Sequence, residues 1–92
     1  MIYDVVWLDD PLRELDAIWQ AAGSAEREVI ARKVARVEDR LSVAPYTQGE
    51  SRPPSSFRIL FELPLRIDYR IERFQGAVAV VHVRLIGKRP RK

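Results

Sequence analysis

The longest regular pattern lies near the middle of the chain. Ile30, Val34, Val37 and Leu41 recur at i, i+4, i+7 and i+11, with Arg32, Lys33, Arg36 and Arg40 filling much of the remainder. That spacing returns apolar side chains to one face of a 3.6-residue turn and predicts an amphipathic helix over about residues 25–42. A shorter helix precedes it. Leu12, Leu15, Ile18, Trp19 and Ala22 share a face over residues 11–22. Asp9 or Asp10 stands where an N-cap belongs, with Pro11 at the first helical position, where its missing N–H costs nothing. Gly23 ends this helix and Ser24 caps the next. Upstream, "IYDVVWL" at 2–8 is β-branched and aromatic, as in a strand.

Beyond the long helix the period changes. "SVAPYTQGESRPPSS" at 42–56 has proline, glycine and serine too densely for any repeat, and predicts a loop. Three strands follow. "FRILFE" (57–62) sets Phe57, Ile59 and Phe61 against Arg58, Leu60 and Glu62. "LRIDYRIE" (65–72) sets Leu65, Ile67, Tyr69 and Ile71 against Arg66, Asp68, Arg70 and Glu72. Such alternation marks a half-buried antiparallel strand. "AVAVVHVRLI" (77–86) is more apolar and suits a central strand. A three-residue loop at Phe74–Gly76 opposes Tyr69 to Val81, Ile67 to Val83 and Leu65 to Leu85 on one apolar face. A two-residue loop mixes the faces, so polarity selects the longer one. The other face then opposes Asp68 to His82 and Arg66 to Arg84. With the helices on the apolar face, the outer face carries Arg58, Arg66, Arg70, His82 and Arg84, offset by Glu62 and Asp68. Lys88 and Arg89 extend it at the strand exit.

Composition sharpens this picture. Residues 1–50 hold 6 Lys/Arg against 10 Asp/Glu, and residues 51–92 hold 10 against 3. Halves of opposite sign point to a polyanion or an acidic protein segment as partner for the second half. The basic residues of the long helix are balanced by Glu26, Glu28, Glu38 and Asp39, which is the mixture of a solvated face. With no cysteine and one histidine, thiolate zinc and His-rich sites are excluded, and no cofactor is expected. Ninety-two residues make one domain, 1–92. No apolar run reaches 18 residues, and the N-terminus is acidic where a signal peptide is basic, so a cytoplasmic protein without a membrane partner is expected.

The order strand, helix, helix, three strands resembles the RelE/ParE toxin superfamily of bacterial toxin–antitoxin modules over almost the whole chain. The resemblance rests on "IARKVARVEDRLSVAP" and "FRILFELPLRIDYRIERFQGAVAVVHVRLIGKR", above all on "LRIDYRI" and "IGKR". It implies an α+β fold: an N-terminal strand, a two-helix hairpin, then a three-stranded antiparallel meander completing a sheet with helices on one face. It also implies roles. Arg58 matches a basic residue on the first strand of the hairpin set, Arg66 and Tyr69 the family's R-x-x-Y, and Arg89 the arginine after the final glycine. In RelE-like enzymes such residues clamp and cut messenger RNA in the ribosomal A site, without metal, by attack of the ribose 2′-OH. Fixed guanidiniums suit this chemistry because negative charge concentrates on the scissile phosphate.

Two positions depart from the family. Leu60 stands where RelE has a second strand lysine, and no C-terminal tyrosine follows "IGKR". His82, the one side chain that titrates near neutrality, is a candidate for the missing acid–base function beside Asp68. The bland alternative is a histidine hydrogen-bonded on the sheet. Arg70, Arg84, Lys88, Arg91 and Lys92 complete the expected RNA-binding set. The leading expectation is a ribosome-dependent messenger RNA endonuclease. The alternatives are a ParE-like inhibitor of DNA gyrase and an inactive toxin-fold binding protein. Under all three, the resemblance implies a cognate antitoxin partner.

Overall fold

The computed structural model describes residues 2–48, 50–52 and 56–86. The alternating segment becomes strand β4 (Leu65–Glu72), at the centre of a five-stranded sheet. Beside it lie β3 (Phe57–Glu62) and β5 (Ala77–Leu85); the edges are β2 (Glu50–Arg52) on β3 and β1 (Asp4–Trp7) on β5. All pairs are antiparallel except β1 with β5, which is parallel. The helices are α1 (Asp9–Ala21) and α2 (Ser24–Val43). Leu65, Ile67, Tyr69 and Ile71 of β4 are buried with Val78, Val80 and Val83 of β5, Leu60 of β3 and Val37 and Leu41 of α2. Thus both helices cover the face that the alternation marks as apolar.

Several local expectations are corrected. Helix α1 begins at Asp9, so Asp9 and Asp10 occupy its first turn and Leu8 takes the cap position without a side-chain bond. There the carboxylates act on the positive end of the helix dipole. Pro11 is therefore the third helical residue, still among the N–H positions that have no partner within the helix. Gly23, not Ser24, is the cap of α2, and its N–H donates to Glu26 Oε1 at 2.8 Å. Part of the expected loop is strand: Glu50–Arg52 pairs with β3. That segment has no strand propensity of its own, and its order comes from the neighbour's free edge.

The largest correction concerns the faces of β3. Expected inward, Phe57, Ile59 and Phe61 face away from the helices, while Arg58, Leu60 and Glu62 lie opposite Tyr69, Ile67 and Leu65 on the helix side. The hairpin decides this. Leu63 and Pro64 form a two-residue connection that opposes Glu62 to Leu65, so burying Leu65 commits Glu62, Leu60 and Arg58 to the same face. Leu60 accordingly fills the core at 2% exposure.

Register between β4 and β5 follows the expectation from Leu65↔Leu85 to Asp68↔His82, then shifts by one, so that Tyr69 opposes Val80 rather than Val81. Val81 is the extra residue of a β-bulge. The bulge lengthens the turn to Arg73–Gly76, which Gly76 closes at φ 61, a conformation glycine adopts without a Cβ clash. It also reverses the alternation. Val78 and Val80 point inward, and so does Val83, leaving Val81 and His82 half-buried between them. His82 keeps its place opposite Asp68 on the outer face, and the inserted residue changes only which residues before Val81 point inward.

Candidate functional site

β4 sends Arg66, Asp68, Arg70 and Glu72 to the face away from the helices, and no described element covers that face. Register builds two adjacent rows. In one, Arg66 lies opposite Phe61 of β3 and Arg84 of β5; in the next, Asp68 lies opposite Ile59 and His82. Like charges directly opposite one another destabilise a sheet, so Arg66 and Arg84 need local compensation. Two carboxylates supply it. Arg66 Nε donates to Asp68 Oδ1 at 3.0 Å, and Arg84 Nη1 donates to Glu14 Oε2 at 2.7 Å. Further along, Arg70 pairs with Glu72 and lies over the Phe57 ring, 5.8 Å from its centroid. Each described arginine of this face therefore has an acidic partner. The face is less basic than expected, because Arg58 has left it and Glu14 and Glu72 contribute to it.

Glu14 comes from α1 and reaches β5 where that strand has lost its neighbour. Strand β1 pairs only with Ala77–Val80. Past that point Glu14 Oε1 accepts the Val83 N–H at 2.9 Å, while Oε2 lies 3.2 Å from His82 Nδ1 as well as bonding Arg84. Burial alone would raise this carboxyl. The Val83 N–H, Arg84 and His82 outweigh burial and hold it below its ordinary value. The expected Asp68–His82 partnership is not made: Asp68 binds Arg66, and the imidazole is held by Glu14.

Arg58 belongs to a different neighbourhood. Its Nε donates to the Gln48 carbonyl at 2.9 Å, on the helix side, beneath the turn that follows α2. The same carbonyl lies 2.6 Å from the Tyr69 hydroxyl, which is also 2.8 Å from the Pro45 carbonyl and can donate its proton to one of them at a time. Burial raises the Tyr69 hydroxyl above its ordinary value, an effect that Arg58 and Arg40 partly offset. Of the residues expected to act together, Arg66 and His82 share a face with Arg70 and Arg84. Arg58 is on the opposite side of the sheet, and Lys88, Arg89, Arg91 and Lys92 lie outside the described residues.

Glu62, also on the helix side, gathers three cations from α2: Arg40 at 2.6 Å, Arg36 at 3.0 Å and Lys33 at 3.5 Å. Burial would raise its carboxyl, but Arg40 and Arg36 more than compensate and lower it. Groups depressed in this way stabilise the fold above their unfolded value, here 4.5, and lose that contribution as pH falls through the folded value. Unfolding free energy should therefore decline from about pH 5 downward. Denaturant melts across that range should show a shallower decline for Glu62→Gln.

No protein-family model matches the sequence, and no curated protein matches it. Solved structures do. The RelBE2 toxin–antitoxin complex of Mycobacterium tuberculosis superposes with a TM-score of 0.74 at 20% identity, covering 92% of each chain. This chain has the RelE/ParE toxin fold. The chromosomal ParDE system of P. aeruginosa gives 0.70 at 16% identity over 94% of this chain and 98% of that one. The isolated RelE toxin of E. coli gives 0.59 at 18% identity over 95% and 87%. Within this RelE/ParE architecture, Glu14 and Phe61 are the site residues that sequence reasoning missed. Phe61 alternates with the charged positions and reads as core. Glu14 has no signal at all, since its partners lie 68 to 70 residues away.

Proposed function

We propose that the chain is the toxin of a cytoplasmic toxin–antitoxin pair and that it cleaves messenger RNA at the ribosome. The observation that carries this reading is the Arg66–Arg84 pair: two arginines directly opposite in register on a sheet face that no described element covers. Such a pair costs stability in isolation and gains its use when a phosphate bridges it. Attack of a ribose 2′-OH on the adjacent phosphorus builds charge on the non-bridging oxygens, where fixed donors act most strongly. Phe61, 44% exposed in the same row, offers a ring on which a neighbouring base can stack. The basic run Lys88, Arg89, Arg91 and Lys92, which follows β5 in the sequence, would add phosphate-binding charge. Deleting residues 90–92, which removes Arg91 and Lys92, should weaken RNA binding and make its salt dependence shallower by roughly one to two units.

An antitoxin would seat on the helices. Leu12, Leu15, Trp19, Ile30 and Val34 line an apolar groove of about 520 Å³ between α1 and α2, suited to an amphipathic segment. A second reading, inhibition of DNA gyrase by protein–protein contact, is favoured by the carboxylate beside each described arginine of the face. These partners already neutralise charge that a phosphate would otherwise meet. Expression of the chain alone in bacteria separates the two readings. Growth arrest with fragmented transcripts is expected. Arrest with intact transcripts and trapped gyrase–DNA complexes would transfer the assignment to gyrase.

A further inference from the structure

We infer that Glu14 is a positioning residue that fixes the tautomer of His82 and presents its Nε2 as the proton acceptor for RNA cleavage. The inference rests on the ribonuclease reading and adds to it a residue pair that crosses the fold. An ionised carboxylate can only accept hydrogen bonds. Glu14 is anchored three ways, by the Val83 N–H, by Arg84 and by His82 Nδ1. A neutral imidazole beside it must therefore carry its proton on Nδ1, which leaves the lone pair on Nε2. No described residue bonds Nε2, and the side chain is 42% exposed on the face that holds Arg66 and Arg84.

Three features of the chain converge on this arrangement. Register places His82 on the outer face opposite Asp68, immediately after the bulge at Val81. The early end of β1 leaves the β5 edge open for a side chain from α1. The like-charged Arg66 and Arg84 lie one row away from His82, a spacing that suits a phosphate on the arginines and its ribose at the imidazole. In the step proposed, the 2′-OH proton passes to His82 Nε2 as the 2′ oxygen bonds to phosphorus. The bond from phosphorus to the 5′ oxygen breaks, and that oxygen takes a proton from water or from the imidazolium. The products are a 2′,3′-cyclic phosphate and a 5′-hydroxyl, with no change of oxidation state.

The charged groups around the imidazole come from each neighbouring element. Glu14 faces it from α1, Asp68 lies opposite on β4, and Arg84 follows it on β5. Asp9, Asp10 and Arg13 line with it a cleft of about 400 Å³ at the start of α1. Among these, only Glu14 bonds the ring.

Two measurements test the inference. In the first, cleavage of a defined message on purified ribosomes is followed against pH. His82→Ala should lower the rate about 100-fold or more and abolish the rising acid limb of the profile. Glu14→Gln keeps an oxygen for the Val83 N–H, and should lower the rate on the order of 10-fold or more through loss of the tautomer. In the second, ¹⁵N chemical shifts of the free protein should show an Nδ1-protonated neutral imidazole in the wild type and a mixture in Glu14→Gln. Wild-type cleavage with an unaltered acid limb in His82→Ala would overturn the inference while sparing the ribonuclease reading. An Nε2-protonated ring in the wild type would also overturn it, whether or not the protein cuts. An intact message with wild-type protein would defeat the ribonuclease reading and the inference together.

Discussion

Replacing Arg66 with alanine should lower messenger RNA cleavage about 100-fold or more while the protein remains folded. The two halves of this expectation have separate causes. Removing one preorganised donor from a developing oxyanion commonly costs roughly two to three orders of magnitude, because no other group can reorient to replace it. The structural cost is small by comparison. Arg66 is 39% exposed, and its bond to Asp68 is of the partly solvated kind that contributes about 0–1 kcal/mol. Loss of that bond is offset in part by relief of repulsion from Arg84 across the strand pair. Arg66→Lys should recover charge without the planar fork, and so restore only a fraction of the rate. Single-turnover cleavage at saturating protein, measured beside a thermal melt, checks both halves. A large fall in melting temperature would mean that Arg66 is structural.

Glu62→Ala should have the largest effect on stability, about 2–3 kcal/mol. The carboxylate is 8% exposed and is the common partner of Lys33, Arg36 and Arg40. Removing it leaves three like charges converging on the space where it stood. Breaking a fully buried pair costs roughly 3–5 kcal/mol; the value here is lower because Arg36 is 63% exposed and can turn to solvent. In a domain of this size, such a loss should lower the melting temperature by about 10–20 °C. Glu62→Gln should fall between wild type and alanine, since the amide oxygen still accepts one guanidinium bond. A melting temperature within a few degrees of wild type would show that the cluster is a solvated arrangement.

The sequence carries the architecture because the decisive segments have one reading. Residues 65–72 alternate without exception, and Ile30, Val37 and Leu41 can only meet a core as a helix. The expected order of elements, the helix-covered face and half of the β4–β5 register all follow from them. What failed did so where both faces are apolar. Ile59, Leu60 and Phe61 are consecutive, so period alone cannot choose their orientation, and the two-residue connection to Leu65 settles it instead. Likewise Ala77 to Val81 gives no polarity cue to locate a bulge, which appears only as the register shift beyond Asp68. Arg58 was misplaced through the same ambiguity. The outer-face placement was therefore readable for Arg66, on a strictly alternating strand, and for His82 and Arg84, whose polarity breaks the apolar run of β5. It was unreadable for Glu14, whose contacts depend on where β1 stops.

The central claim is that the outer sheet face cuts RNA rather than only binding a partner. The most direct measurement incubates the purified protein with ribosomes carrying a defined, end-labelled message, and maps the products and their termini. The account predicts breaks within the ribosome-bound codon, ending in 2′,3′-cyclic phosphate and 5′-hydroxyl and absent with Arg66→Ala. A message that stays full length, in an assay where the same preparation blocks supercoiling by gyrase, would contradict it.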